Sequence, residues 1–185
     1  MTRRFFLFDT PDRFVAGAIG EPGNRTFFLQ AREGARIVSV ALEKVQVAAL
    51  AERLDDLLGE LDQRGVEGAA ENGMSADAGP LDEPLNEAFR AGTLSLGWDG
   101  SVGRVMVEAR AQSELGEEEE EDDADDESPE GPDVMRVRLL PIEARSFVEH
   151  AVRVLGSGRP PCPYCGQPLD PLGHLCPRRN GHLLN

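Results

Sequence analysis

The sequence predicts an α+β protein made of two related antiparallel sheet-plus-helix halves, followed by a short cysteine-rich tail. Three observations carry that reading. Short alternating or β-branched runs, punctuated by turn residues, recur in two groups. Each group ends in a stretch whose apolar residues return at helical spacing. All three cysteines of the 185-residue chain, and two of its three histidines, fall within residues 162–182.

Residues 4–8 and 13–19 read as strands, parted by the turn residues Asp9, Pro11 and Asp12. Gly20 to Asn24 is a turn, and residues 25–31 are rich in aromatic and β-branched side chains. Gly17, Gly20 and Gly23 are spaced like a loose phosphate loop, but strands flank them on both sides, so a hairpin turn fits better. Residues 36–42 alternate as a half-buried strand does. A helix follows from near Glu43, with Val47, Leu50, Ala51, Leu54, Leu57, Leu58 and Leu61 on one stripe, and Gly65 stops it. In the second group, residues 88–96 and 103–111 are strands around a "GWDGS" turn, and residues 134–140 are a third. Pro141 suits the first turn of a helix running to about Leu155. Its stripe is Ile142, Phe147, Val148, Ala151, Val154 and Leu155.

The halves align when Gly59 is placed on Gly156: Val38 falls on Met135, Val40 on Val137, Leu42 on Leu139, Leu50 on Phe147 and Leu54 on Ala151. An internal duplication is the reading this favours. The expected organisation is a first meander plus helix over 1–64, a linker over 65–80, a second meander plus helix over 81–157, and a metal-binding tail over 158–185.

A chain of this length can bury one sizeable core or two small ones. The net charge is −15, but residues 114–133 hold thirteen Asp and Glu and no Lys or Arg, and without them the remainder stands at −2. Overall acidity therefore says little about the folded surface. The acidic run (113–133) falls between the last two strands; its self-repulsion predicts a disordered loop, tolerated as a solvated insertion or serving as a decoy for a basic partner. No stretch reaches eighteen apolar residues, and the opening apolar run is only Phe5 to Phe8, which argues against a membrane span or a secretory leader. The expectation is a cytoplasmic protein, with thiols kept reduced.

The tail reads "CPYCGQPLDPLGHLCPRRNGH". Cys162 and Cys165 are spaced as one half of a zinc knuckle, and Gly166 lets the chain turn so that backbone amides face the sulfurs. If residues 174–176 are extended, His174 and Cys176 share a face and complete a C-x2-C-x8-H-x-C set. The alternative fourth ligand is His182. Pro161, Pro163, Pro168, Pro171 and Pro177 stiffen a segment with almost no apolar residues of its own, so the ion supplies its folding energy. A redox dithiol fits less well, since that motif opens a helix. Five candidate ligands for four places argue against the open position a catalytic zinc needs. The expected cofactor is a structural zinc ion.

No nucleophile–base pair, nucleotide-binding loop or carboxylate dyad is legible. His150, on the second helix, reads as a partly exposed structural histidine. Arg136 and Arg138 alternate with apolar residues, and with Arg104 they suggest a cationic sheet face for phosphate or nucleic acid. Cross-strand ion pairs with residues such as Glu108 or Glu33 explain the same pattern. Trp98 sits in the "GWDG" turn, either as a contact point or packed back on the sheet.

The strings "RFVAGAIGEPGNRTFFLQAR", "LEKVQVAALAERLDDLL" and "PPCPYCGQPLDPLGHLCPRRNG" resemble an actinobacterial family, domain of unknown function 3090, over nearly the whole chain. The resemblance implies a single unit with the cysteine-rich tail as a regular part, brings no activity, and through its shared ending tips the fourth ligand towards His174. The strand–helix order is also similar to the nucleic-acid-binding PUR repeat, in architecture alone. The functional expectation is a non-enzymatic binding or regulatory protein with a protein partner. The alternatives are a nucleic-acid-binding protein and an enzyme with an unrecognised site; the oligomeric state is left open.

Overall fold

The structure, a computed structural model, describes residues 3–70, 79–112, 131–158, 162–165 and 176. The acidic run 113–130, His174, His182 and Gly166 lie outside the described residues. Seven strands and two helices follow in the order β1 (Phe5–Phe8), β2 (Arg13–Ile19), β3 (Thr26–Glu33), β4 (Arg36–Leu42), α1 (Lys44–Gln63), β5 (Glu87–Asp99), β6 (Arg104–Ala111), β7 (Val134–Leu139) and α2 (Pro141–Gly156). The expected α+β class is the observed one.

All seven strands join one sheet in the order β1-β7-β6-β5-β4-β3-β2. The β2–β3–β4 and β5–β6–β7 meanders are antiparallel, while β4–β5 and β1–β7 pair parallel. Gly20 takes a φ of 107° in the β2–β3 turn, where a side chain would meet the Asn24 carbonyl, so the glycine is required there.

β1 and β2 occupy opposite edges, yet only residues 9–12 separate them. Six inter-strand gaps of about 4.8 Å would set flat edges roughly 29 Å apart. Five chain steps reach at most about 18 Å. The sheet must therefore curl, and the contacts show where it does. The Thr10 amide donates to Glu33 (3.2 Å), and the Gly34 amide donates to Asp12 (2.6 Å). The Arg36 guanidinium lies 4.1 Å over the Phe8 ring and donates to the Leu7 carbonyl. The β1–β2 link thus rests on the β3–β4 turn.

Alternation assigns the faces. Phe8, Phe14, Ala16, Leu29, Val40, Val107, Val137 and Leu139 point into one cluster, shared with Val47, Leu54, Leu58 and Leu61 of α1 and Phe147 and Ala151 of α2. Phe14 stacks on Phe147 with ring centres 4.8 Å apart, tying β2 to α2. Apart from the extra strand β1, the halves share their element order, and the aligned positions Val38/Met135, Val40/Val137 and Leu50/Phe147 are all buried. At the helix starts, the Glu43 amide donates to Gln46 and the Leu140 amide to Glu143, each at three residues' separation. Shared order and burial do not by themselves show a duplication.

The opposite face of β2–β4 is covered by residues following the expected linker. Gln30, 1% exposed, donates to Ser39 (3.0 Å) and to the Asp82 carbonyl (3.0 Å), and accepts from the Asp82 amide (2.7 Å). Asp82 also pairs with Arg13 (3.1 Å) and Arg32 (3.4 Å), and Leu81 fills the space over Gly17. Within 65–70, Ala69 is buried and its carbonyl accepts from Arg145 (3.0 Å).

β5 runs beyond the expected 88–96, from Glu87 to Asp99, and its register shifts between Ala91 and Thr93. The shift moves the inward set from Phe89 and Ala91 to Leu94, Leu96 and Trp98, as a β-bulge does. A Cβ on Gly92 would stand 2.9 Å from the Gln112 Cα, so only glycine permits this approach. At Gly97 the nearest atom is the flexible Met106 Cε, at 3.4 Å. Gly92→Ala is expected to cost about 1–3 kcal/mol and Gly97→Ala clearly less. Urea midpoints measure both, and equal effects would contradict the bulge assignment.

Arg4 clasps the start of β1 to the start of β7: its amide and its Nε both donate to Asp133 at 2.8 Å. Partial burial pushes the Asp133 carboxyl up, but the hydrogen bonds from Arg4 outweigh it and hold the group below its ordinary value. A carboxyl lowered in the folded state stabilises above the unfolded value, about 3.9, and loses that contribution as pH falls through the folded value. The stability advantage of the wild type over Asp133→Asn is expected to be at most about 1 kcal/mol near neutrality. It should shrink below about pH 4, as pH-dependent thermal melts would show; an advantage that grows on acidification would contradict the clasp.

Candidate metal centre

α2 ends at Gly156, where the Ser157 amide still donates to the Arg153 carbonyl. Past this point the chain has few apolar residues to continue a core. Residues 163–165 form a turn that brings Cys165 back beside Cys162. The three sulfurs of Cys162, Cys165 and Cys176 all lie within 4.8 Å of one another. Cys162 and Cys176 are buried, and their sulfurs are 3.8 Å apart. That is far longer than a disulfide bond of about 2.05 Å. It matches the edge of a tetrahedron whose sulfurs stand about 2.3 Å from a central ion, roughly 3.8 Å.

Burial of the Cys162 sulfur pushes its thiol up. The amides of Cys165 and Tyr164, with the neighbouring sulfurs of Cys165 and Cys176, outweigh that and hold it below the ordinary thiol value. Backbone donors aimed at a sulfur favour the thiolate, the form that ligates a metal. The turn at Gly166 expected to aim amides at the sulfurs lies outside the described residues; the backbone donors to Cys162 are Tyr164 and Cys165. The donor set fits a thiophilic ion.

The other singled-out residues lie elsewhere. Arg136 and Arg138 project from the outer face of β7, and each is paired: Arg136 to Glu108 (2.6 Å) and Arg138 to Asp9 (2.8 Å). Arg110 reaches Glu108 from its other side at 2.7 Å. Arg104 stands opposite Asp99 across the β5–β6 pair. Trp98 belongs to β5, opposite Val105, and packs against the core. His150 is buried, more deeply than its sequence position suggests. Of the cross-strand ion pairs set out as the alternative to a cationic face, Glu108 and Arg136 form one between β6 and β7, and Arg110 joins it from Glu108's own strand. The Gln30–Ser39–Asp82 network was not legible; its one signal is a glutamine at the centre of an apolar strand.

Fold and site together define an α+β protein with a cysteine cluster of metal-ligand spacing in its tail. The chain belongs to the family described as "Protein of unknown function (DUF3090)", which matches residues 6–176 and so includes all three cysteines. Comparison with curated proteins and with solved structures gives no match. No described helix is long and apolar enough to cross a membrane.

Glu108 has a side chain only 3% exposed and serves two guanidiniums, those of Arg110 and Arg136, which are 41% and 17% exposed. Removing one partner of a buried pair costs about 3–5 kcal/mol. With one cation half in water, Glu108→Ala should fall at the low end, about 3 kcal/mol, by chemical denaturation. A loss below about 0.5 kcal/mol, as for an ordinary surface substitution, would contradict a structural role for the triad.

Proposed function

We propose that this protein is a non-enzymatic binding or regulatory module whose tail is shaped by a structural zinc ion, held by Cys162, Cys165, Cys176 and His174. The observation that carries the reading is the convergence of three unbridged sulfurs within 4.8 Å. Thiolates at that separation repel unless a cation sits among them, and a thiolate-rich set completed by an imidazole suits zinc. His174 is preferred to His182 because an extended run over 174–176 would turn it to the same face as Cys176, and because the family match reaches residue 176 and stops short of 182. Four protein ligands leave no open position, so the metal organises the chain and does no chemistry of its own. Reduced thiols at such a site suit the cytoplasm. The partner is another macromolecule, a protein in this reading; the pairing of Arg136 and Arg138 with carboxylates counts against a nucleic-acid role.

Purified full-length protein, washed free of loose metal under reducing conditions, is expected to carry one zinc per chain by elemental analysis. Cys162→Ser and His174→Ala should each lose that stoichiometry, and His182→Ala should retain it. Absence of stoichiometric metal, or metal indifferent to Cys162→Ser, would overturn the site. Loss in His182→Ala with retention in His174→Ala would reassign the fourth ligand.

A further inference from the structure

We propose that the groove between α1 and the free edge of β5 takes an extended peptide segment of a partner protein, one carrying an acidic residue, as an added strand. The inference deepens the binding role above and rests on that part of it; it does not require the metal.

β5 spans thirteen residues, but β4 pairs with it only through Glu87, Phe89 and Arg90, because the chain leaves β4 at Leu42 to begin α1. The next two carbonyls on that edge, Ala91 and Gly92, accept from the side-chain amide of Gln46 at 3.3 and 3.1 Å. Gln46 thus stands in for a missing strand over two residues. Beyond it, among the described residues, the backbone of 93–97 has no partner on the α1 side. An edge strand of this kind is ordinarily protected by lysine, proline or a further bulge, and residues 93–97 (TLSLG) supply none.

The space beside this edge is a groove of about 490 Å³ lined by Ala49, Leu50, Arg53, Leu57, Leu94 and Leu96, among others. Leu94 and Leu96 point to the core side yet stay half-exposed, for want of the strand that would cover them. An open ladder beside an apolar floor is the arrangement by which strand addition binds peptides: main-chain bonds hold the segment, and alternate side chains enter the groove.

Charge selects the occupant. Arg53 is the one charged residue of the lining, it is exposed, and it has no ion pair among the described residues. A second copy pairing edge to edge would bring two Arg53 side chains towards each other, since a two-fold interface apposes the same patch. The chain's own acidic run leaves from the β6 side of β5, where the Gln112 amide donates to the Arg90 carbonyl, and it has a single leucine to offer an apolar floor. A partner segment with alternating apolar residues and a carboxylate near Arg53 satisfies backbone, floor and charge together.

The test uses the full chain and a displayed library of random twelve-residue peptides, with an enriched peptide then synthesised. Binding should slow hydrogen exchange at amides within residues 93–97 at least tenfold. Ala49→Trp, which fills the groove from an exposed helix position, and Arg53→Glu should each weaken binding at least tenfold while zinc content and melting temperature stay unchanged. Selection on Arg53→Glu should turn from acidic to basic peptides. The proposal is overturned if no peptide enriches, if protection falls elsewhere, if both variants bind as the wild type does, or if residues 93–97 become protected with rising protein concentration alone, which would assign the edge to a second copy.

Discussion

A four-residue link between strands at opposite edges of a seven-stranded sheet is the constraint on which the rest of this structure depends. It cannot be met by a flat sheet, so the sheet curls. Curling gathers the inward faces of both meanders around one cluster, into which α1 and α2 insert side by side. Neither half then needs a core of its own. The cost appears on the outside, where arginines on β6 and β7 are neutralised by Glu108 and Asp9, and where residues 81 and 82 shield the back of β2–β4.

Much of this was legible from local pattern. Strands 13–19 and 36–42 and the helix starting at Pro141 are found where short apolar runs between turn residues and helical spacing place them. What was not legible is non-local or breaks the period. The parallel β4–β5 pairing that fuses the halves involves segments separated by a helix, and no local pattern specifies it. The bulge at Gly92 switches the inward residues from odd to even numbers, so a reader expecting one period ends the strand at Leu96 and leaves Trp98 in the turn. A lone glycine within a strand was the available signal. The arginines illustrate another limit: alternation shows that Arg136 and Arg138 share a face, but only the register, with Glu108 opposite Arg136, shows that a carboxylate waits there.

The tail stands apart from this logic. Among the described residues, the core cluster of sheet and helices includes none of the three cysteines. Three sulfurs meet there, two of them buried, with backbone amides turned toward Cys162. A cation at their centre accounts for all three features at once, and spacing alone made the cysteines legible as ligands. The choice of histidine depends on residues beyond the turn.

X-ray absorption at the zinc edge of the full-length protein is the most direct measurement of that claim. The account predicts three sulfur scatterers at about 2.3 Å and one nitrogen near 2.0–2.1 Å. A first shell of nitrogen and oxygen alone would contradict it.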